Sequence, residues 1–172
     1  MAVVLVTGMS GTGKSAALLE LARRGYRVVD TDEGGYAEEV PSGDDGGWEQ
    51  LWREDGIGAL LDQHGDGVLF VSGCVANQGK FYPGFDAVVL LSAPADVILE
   101  RVATRESNDF GKSDPERARI LHDLATFEPL LRAGATAEIN TRARLDEVVN
   151  ELERIACEAC AEREFGRSRR SS

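Results

Sequence analysis

The chain has 172 residues, with 30 acidic side chains against 19 basic ones and a net charge of −11. That length suits one domain with a core of its own, and the negative balance argues against a broad nucleic-acid or anionic-membrane surface, since both favour clustered positive charge. No apolar run is long enough to span a bilayer and no signal peptide is evident, so the expectation is a cytoplasmic protein whose three cysteines are reduced.

Residues 3–7 are β-branched and apolar and read as a buried first strand. They lead into Gly8-Met9-Ser10-Gly11-Thr12-Gly13-Lys14-Ser15, which fits G-x-x-x-x-G-K-[ST]. Strong helix formers follow over 16–23, with Leu18, Leu21 and Ala22 on one face. Strand, glycine loop and helix in that order is the context of a phosphate-binding loop. Glycines let backbone N–H groups close around phosphate oxygens, and the helix N-terminus adds partial positive charge. Gly8, Ser10, Gly11, Thr12, Gly13, Lys14, Ser15 and Ala16 are therefore the expected ATP contacts. Lys14 would reach the β- and γ-phosphates and Ser15 would take a place on Mg2+. The letters from Gly11 to Ala16 also satisfy the dinucleotide pattern G-x-G-x-x-A, with Asp30 and Asp32 downstream. Against that rival, Gly8 to Ser10 separate the strand from Gly11, and a Lys-Ser pair has no task at a pyrophosphate.

The second strand, 26–30, ends in Asp30-Thr31-Asp32. A Gly- and acid-rich stretch over 33–47 reads as a loop. Residues 48–64 read as a helix that buries Trp48, Leu51, Trp52, Leu60 and Leu61, although Gly56 and Gly58 weaken it. The third strand is 67–71 and the fourth 87–91, and Pro94 opens a helix over 95–104. Residues 105–113 are polar apart from Phe110 and read as a lid. Asp114-Pro115 caps the next helix, whose Ile120, Leu121, Leu124 and Phe127 share a face and which Pro129 ends. A short last strand over 137–140 precedes an amphipathic helix marked by Leu145, Val148, Val149, Leu152, Ile155 and Ala156. Cys157 and Cys160 form C-x-x-C but read as ordinary helix positions, and the tail from Phe165 reads as frayed. This alternation of strands and helices indicates an α/β fold with a parallel sheet covered on both faces.

In such a sheet the chemistry gathers at the carboxyl ends of the strands. Of Asp30 and Asp32, one suits Mg2+ and the other an acceptor hydroxyl. After the third strand, Ser72 and Gly73 could bring backbone close to a ligand, and Asn77, Gln78, Lys80 and Tyr82 could read hydroxyls or a carboxylate; Arg53 joins them as a candidate substrate contact. The segment has no D-x-x-G, which argues against a GTPase-type switch. Arg101 and Arg105 lie four apart on a helix and share a face, and with Lys112, Arg117 and Arg119 they make a phosphate clamp. His64 and His122 read as structural or surface positions.

Taken together, these segments resemble the small P-loop kinases of the shikimate kinase, gluconate kinase and adenylate kinase group, and AAA-type ATP-binding proteins. The resemblance runs from Val3 to about Ile155. Asp30-Thr31-Asp32 is similar to the D-T-D of shikimate kinases, whose acids serve magnesium and the substrate hydroxyl. This implies Asp30 as a metal ligand beside Ser15, and Asp32 as a catalytic group along with Lys14 and Arg105. Arg101 to Arg105 resembles the helix leading into a mobile lid, and Glu128-Pro129-Leu130-Leu131 the segment after it. Ile139-Asn140-Thr141-Arg142 resembles the loop beside adenine, which implies nucleotide contacts at Thr141 and Arg142. Two positions depart from shikimate kinases: Ser72-Gly73-Cys74 stands for Gly-Gly-Gly, and Phe127 for an arginine. The stretch from Cys74 to Tyr82 is similar to the gluconate kinase acceptor loop.

The resemblance implies a three-layer fold with a five-stranded parallel sheet, helices on both faces and a mobile lid at about 105–115. The kinase domain would span 1–164, with a disordered tail over 165–172. Its implied activity is ATP- and Mg2+-dependent transfer of the γ-phosphoryl group to a hydroxyl of a small sugar-acid- or shikimate-like metabolite. The alternatives are a nucleoside or nucleotide kinase and, from another class, a non-catalytic ATP-binding regulatory protein. The expected partners are ATP and a small acceptor, with no nucleic acid or membrane, in a monomer or homodimer.

Overall fold

The computed structural model describes residues 1–42, 47–104 and 111–170, the last five of these by backbone alone. The central strand β1 (Ala2–Thr7) is buried along its whole length, as a strand flanked on both sides and covered on both faces must be. The other elements follow as α1 (Lys14–Arg23), β2 (Arg27–Asp30), β3 (Ala37–Pro41), β4 (Trp48–Trp52), α2 (Glu54–Asp62) and β5 (Val68–Ser72). After a 3-10 segment (Gln78–Gly84) come β6 (Ala87–Ser92), α3 (Ala95–Thr104), α4 (Asp114–Gly134), β7 (Ala137–Asn140) and α5 (Leu145–Arg170). The main sheet has five strands in the order β2-β5-β1-β6-β7, all parallel. Every carboxyl end in it therefore points to the same edge.

Alternation along β1 divides the core in two. Val4 and Val6, with Phe70, Val89 and Leu91, pack under α1 and α5 against Leu18, Leu21, Val149 and Leu152. Val3 and Leu5, with Leu69, Val71 and Val88, face Trp52, Ile57, Leu60 and Phe85 on the other side. Each such side chain, fully buried, stabilises the fold by about 1.5–3 kcal/mol. A third, smaller cluster of Ile98, Val102 and Ile120 joins α3 to α4.

Four segments differ from expectation. Residues 37–41 and 48–52 are not loop and helix but an antiparallel hairpin, with Ala37 opposite Trp52 and Pro41 opposite Trp48. The apolar spacing of Trp48, Leu51 and Trp52 matches a helix, but cross-strand pairing overrides it, and aromatic residues suit a strand. Helix α2 begins only at Glu54. Trp52 is buried as expected, whereas Trp48 is 68% exposed.

In α4 the N-cap is Ser113, not Asp114-Pro115: the Glu116 carboxylate accepts from the Ser113 N–H at 3.1 Å and its hydroxyl at 2.8 Å. Nor does Pro129 end this helix, which continues to Gly134. The carbonyl that proline leaves without a partner belongs to Ala125, an exposed residue that water can reach. Finally, α5 runs on to Arg170, well past Phe165. Arg154 pairs with Glu151 and Glu158 along the helix. Arg163 donates to Asp86 at 2.8 Å, and the same Asp86 oxygen accepts from the Val3 N–H at 2.8 Å. Cys157 and Cys160 both sit on α5, the first exposed. Among the described residues no helix is long and apolar enough to cross a membrane.

Candidate functional site

The loop between β1 and α1 is shaped by glycines that no other residue could replace cheaply. Gly11 and Gly13 hold φ of 83° and 97°, in the left-handed region. At Gly8 an added Cβ would lie 2.4 Å from the Leu91 carbonyl oxygen, and at Gly11 2.9 Å from a Val102 methyl. Thr12 closes the turn from inside, donating its N–H and hydroxyl to the Met9 carbonyl at 3.3 and 2.8 Å. Lys14 folds back over the loop and donates from Nζ to the carbonyls of Gly8 at 2.6 Å and Met9 at 3.2 Å.

This loop forms one wall of a cleft of about 550 Å³. Ser10, Gly11, Gly13, Lys14, Ser15 and Ala16 line that side, and Asp30, Asp32, Glu33 and Ser72 line the other, with Arg101 at the margin. The carboxyl ends of β1, β2 and β5 supply both walls. The Asp30 carboxylate accepts from the Asp32 N–H at 3.1 Å, so the two acids form a tight turn. Asp32 keeps an exposed edge. Even so, loss of water at the cleft floor, followed by the neighbouring Asp30 charge, pushes its carboxyl above the usual range, while Lys14 pulls the other way.

Behind the loop, Thr141 is 5% exposed and joins three elements. Its Oγ1 lies 2.7 Å from the Thr12 carbonyl, and its N–H donates to the Ser92 carbonyl at 2.7 Å. Arg101 donates to Thr141 Oγ1 at 2.9 Å and to the Thr141 carbonyl at 2.5 Å, and to the Gly11 carbonyl at 3.4 Å. Thr141 thus underpins the loop from behind, and Arg142 beside it is exposed. Arg105 and the greater part of the lid expected over 105–113, its residues 105–110, lie outside the described residues. Just after them, Gly111 is buried and donates its N–H to Glu116 at 3.1 Å.

Asp32 apart, the residues expected to hold an acceptor are not among those that line this cleft. Asn77 uses both ends of its amide on Trp52, accepting from the Trp52 N–H at 2.8 Å and donating to its carbonyl at 2.9 Å. Tyr82 accepts from Gln78 Nε2 at 2.8 Å, and Gln78 in turn meets Thr7 at the foot of the loop. Lys80 and Arg53 are exposed and pair with Glu54 at 3.6 Å and Asp55 at 3.3 Å. Gly73 is packed: a Cβ there would lie 2.2 Å from Thr31 Oγ1 and 2.7 Å from the Trp52 ring. His64 is buried and His122 exposed, neither at the cleft.

Sequence reasoning missed Glu33 and the roles of Thr31 and Trp52; Ser72, expected to approach a ligand, lines the cleft, whereas Gln78, expected on a ligand, bonds Thr7 and Tyr82. Glu33 was legible as the neighbour of a loaded strand end. Thr31 and Trp52 act through contacts between residues far apart in the chain, which no local pattern reports.

A family model described as an AAA domain matches residues 4–122. Among curated proteins, no sequence matches the chain. Solved structures do. Shikimate kinase from Acinetobacter baumannii in complex with shikimate gives a TM-score of 0.62 at 18% identity, covering 92% of this chain and 94% of the other. A gluconokinase from Sinorhizobium meliloti gives 0.59 at 22% identity, covering 99% and 98%. A sugar kinase from Janibacter sp. gives 0.54 at 18% identity, covering 88% and 92%. At these identities the likeness speaks to the fold. The sheet order, the glycine loop with its lysine, and a family match over most of the sequence converge: the chain belongs to the AAA domain family and has the fold of the small P-loop kinases.

Proposed function

We propose that this protein is an ATP- and Mg2+-dependent kinase that moves the γ-phosphoryl group to a hydroxyl of a small metabolite, of the size and polarity of a sugar acid or shikimate. One observation carries the reading: Lys14 and Ser15 face Asp30 and Asp32 across a single cleft. The residues present fit the groups this requires. A loop whose Gly11 and Gly13 hold left-handed backbone ahead of a helix N-terminus suits phosphate oxygens, and the Ser15 hydroxyl with the Asp30 carboxylate is a set of hard oxygen donors suited to Mg2+. Bound there, ATP would supply the phosphoryl group and Mg2+ would offset its charge.

The chain's own residues then divide the work. The Lys14 ammonium, at rest on two loop carbonyls, exchanges them for phosphate oxygens and stabilises charge that builds on the migrating group. Backbone N–H groups from Gly11 to Ser15 and the start of α1 hold the rest of the phosphate chain. Asp32 orients the acceptor hydroxyl and takes its proton, and its raised affinity for a proton suits a base better than an ordinary aspartate. Arg101, at the margin of the cleft, adds positive charge on the nucleotide side. Thr141 keeps the loop in place, and Arg105 is proposed to close over the phosphates.

A coupled ADP-release assay over sugar acids, shikimate, nucleosides and nucleotides tests the reading. Stimulation by one acceptor class supports it and names the substrate. Tight ATP binding without stimulation by any acceptor would favour a non-catalytic ATP-binding module.

A further inference from the structure

Between the two acids at the end of β2 stands Thr31, 1% exposed, and its environment is specific. Its N–H and its hydroxyl both donate to the Ser72 carbonyl, at 2.9 and 2.8 Å. The hydroxyl oxygen in turn accepts from Trp52 Nε1 at 2.9 Å. With its proton directed to Ser72, that oxygen can meet the indole only as an acceptor, so the arrangement has one sense and no spare donor.

Trp52 cannot turn to make this bond elsewhere. It is 1% exposed, its ring packs edge-on against Phe81 at 5.6 Å and lies 6.3 Å from Phe85, and Asn77 grips its backbone from both sides. Gly73 closes the junction with no room for a side chain, since a Cβ there would lie 2.2 Å from Thr31 Oγ1 and 2.7 Å from the Trp52 ring. Three distant pieces are thereby knotted at one buried point: the last residue of the hairpin, the end of β2 and the end of β5. On the open side of that knot sit Asp30, Asp32 and Ser72.

We propose that Trp52 and Thr31 are positioning residues, which set where the Asp30 carboxylate stands toward the divalent cation of a bound nucleotide and where Asp32 stands beside it. The indole N–H fixes the threonine hydroxyl, the hydroxyl fixes the strand end on Ser72, and the two acids inherit that placement. Neither residue touches a ligand. The inference rests on the kinase reading only in requiring that this cleft bind a magnesium–nucleotide complex.

The test needs no acceptor. ADP affinity is measured by calorimetry with Mg2+ and with EDTA, on the wild type, Trp52→Phe, Thr31→Val, Thr31→Ser and the double variant Trp52→Phe/Thr31→Val, with thermal melts to show that each is folded. Trp52→Phe is the gentlest probe, because Thr31 keeps its bond to Ser72 and no buried donor is stranded. The gain in affinity that magnesium confers should fall by about three- to tenfold in Trp52→Phe and in Thr31→Val, near the lower end of what partners of metal ligands typically cost. Affinity in EDTA should stay at the wild-type level, Thr31→Ser should restore the gain, and the double variant should lose no more than the worse single one. A full magnesium gain in both single variants would overturn the proposal. So would a parallel loss in EDTA, which would mark a general structural role. A wild type that binds no ADP at all overturns the kinase reading itself, and the two failures are thus distinguishable.

Discussion

The two walls of the cleft hold their groups by different means. On the nucleotide wall a contiguous segment from Gly8 to Ala16 supplies glycines, lysine and serine, shaped by its own backbone and braced from behind by Thr141 and Arg101. On the opposite wall Asp30, Asp32 and Ser72 come from two strands. Side chains from a hairpin and a loop hold them there, through contacts that span 21 to 41 residues of sequence. A wall whose ligand-facing groups lie on one contiguous turn is altered most at its own positions. A wall made of long-range bonds can be altered by residues that never meet a ligand.

The largest expected effect lies on the nucleotide wall. Lys14→Ala should lower phosphoryl transfer by roughly 10³-fold, because no other described cation stands where that ammonium meets the loop, and steady-state turnover with the identified acceptor measures it. Near wild-type turnover would end the kinase reading.

Across the cleft, Asp32→Asn keeps the shape and removes the charge. Transfer should fall by about 10²-fold or more while ATP affinity changes little, read from kcat and from calorimetry side by side. Should ATP binding collapse while turnover per complex survives, Asp32 would belong to the nucleotide or metal, and Asp30 to the acceptor.

Gly73→Ala probes the knot behind that wall. Its new methyl would meet the Thr31 hydroxyl at 2.2 Å and the Trp52 ring at 2.7 Å, both immobile. Overpacking of this kind costs about 1–3 kcal/mol, and thermal unfolding should show it as a melting point several degrees lower. An unchanged melt would mean the knot is looser than its contacts indicate.

The smallest effect belongs to neither wall. Arg132 first, and Ser92 second, hold the Glu138 carboxyl below the usual range. A carboxyl whose folded value is lowered adds stability above its ordinary value and loses it as pH falls through the lowered one. Glu138→Gln should therefore flatten the acid flank of the stability–pH curve by no more than about 1 kcal/mol, since the pair is partly exposed. Denaturant melts from neutral to acid pH would measure it.

Most of the sheet was legible because buried parallel strands are written as short unbroken apolar runs, and the glycine loop because its residues are contiguous. The hairpin was not. Glu38, Glu39, Glu49 and Gln50 are exposed, so its sequence carries almost no apolar alternation, and its one deep anchor, Trp52, also fits a helical spacing. Asn77 and Tyr82 were read as substrate contacts because polar side chains at a strand end suit a ligand. The same hydrogen-bonding capacity serves equally to fasten one segment to another, and only the folded partners distinguish the two uses. Pro129 misled for a related reason: a proline in a helix loses one hydrogen bond and crowds the carbonyl four residues back, and α4 continues past it where Ala125 is open to water.

The shared Asp86 carboxylate has a consequence for how the molecule is made. Within this domain β1 precedes both of the strands it pairs with, β5 and β6, and its Val3 N–H waits for Asp86, 83 residues later. Arg163, which braces that same carboxylate, comes near the end of α5. A strand this apolar must therefore stay unpaired until residues 68–72 have followed it, which makes it a segment in need of shielding as the nascent chain emerges.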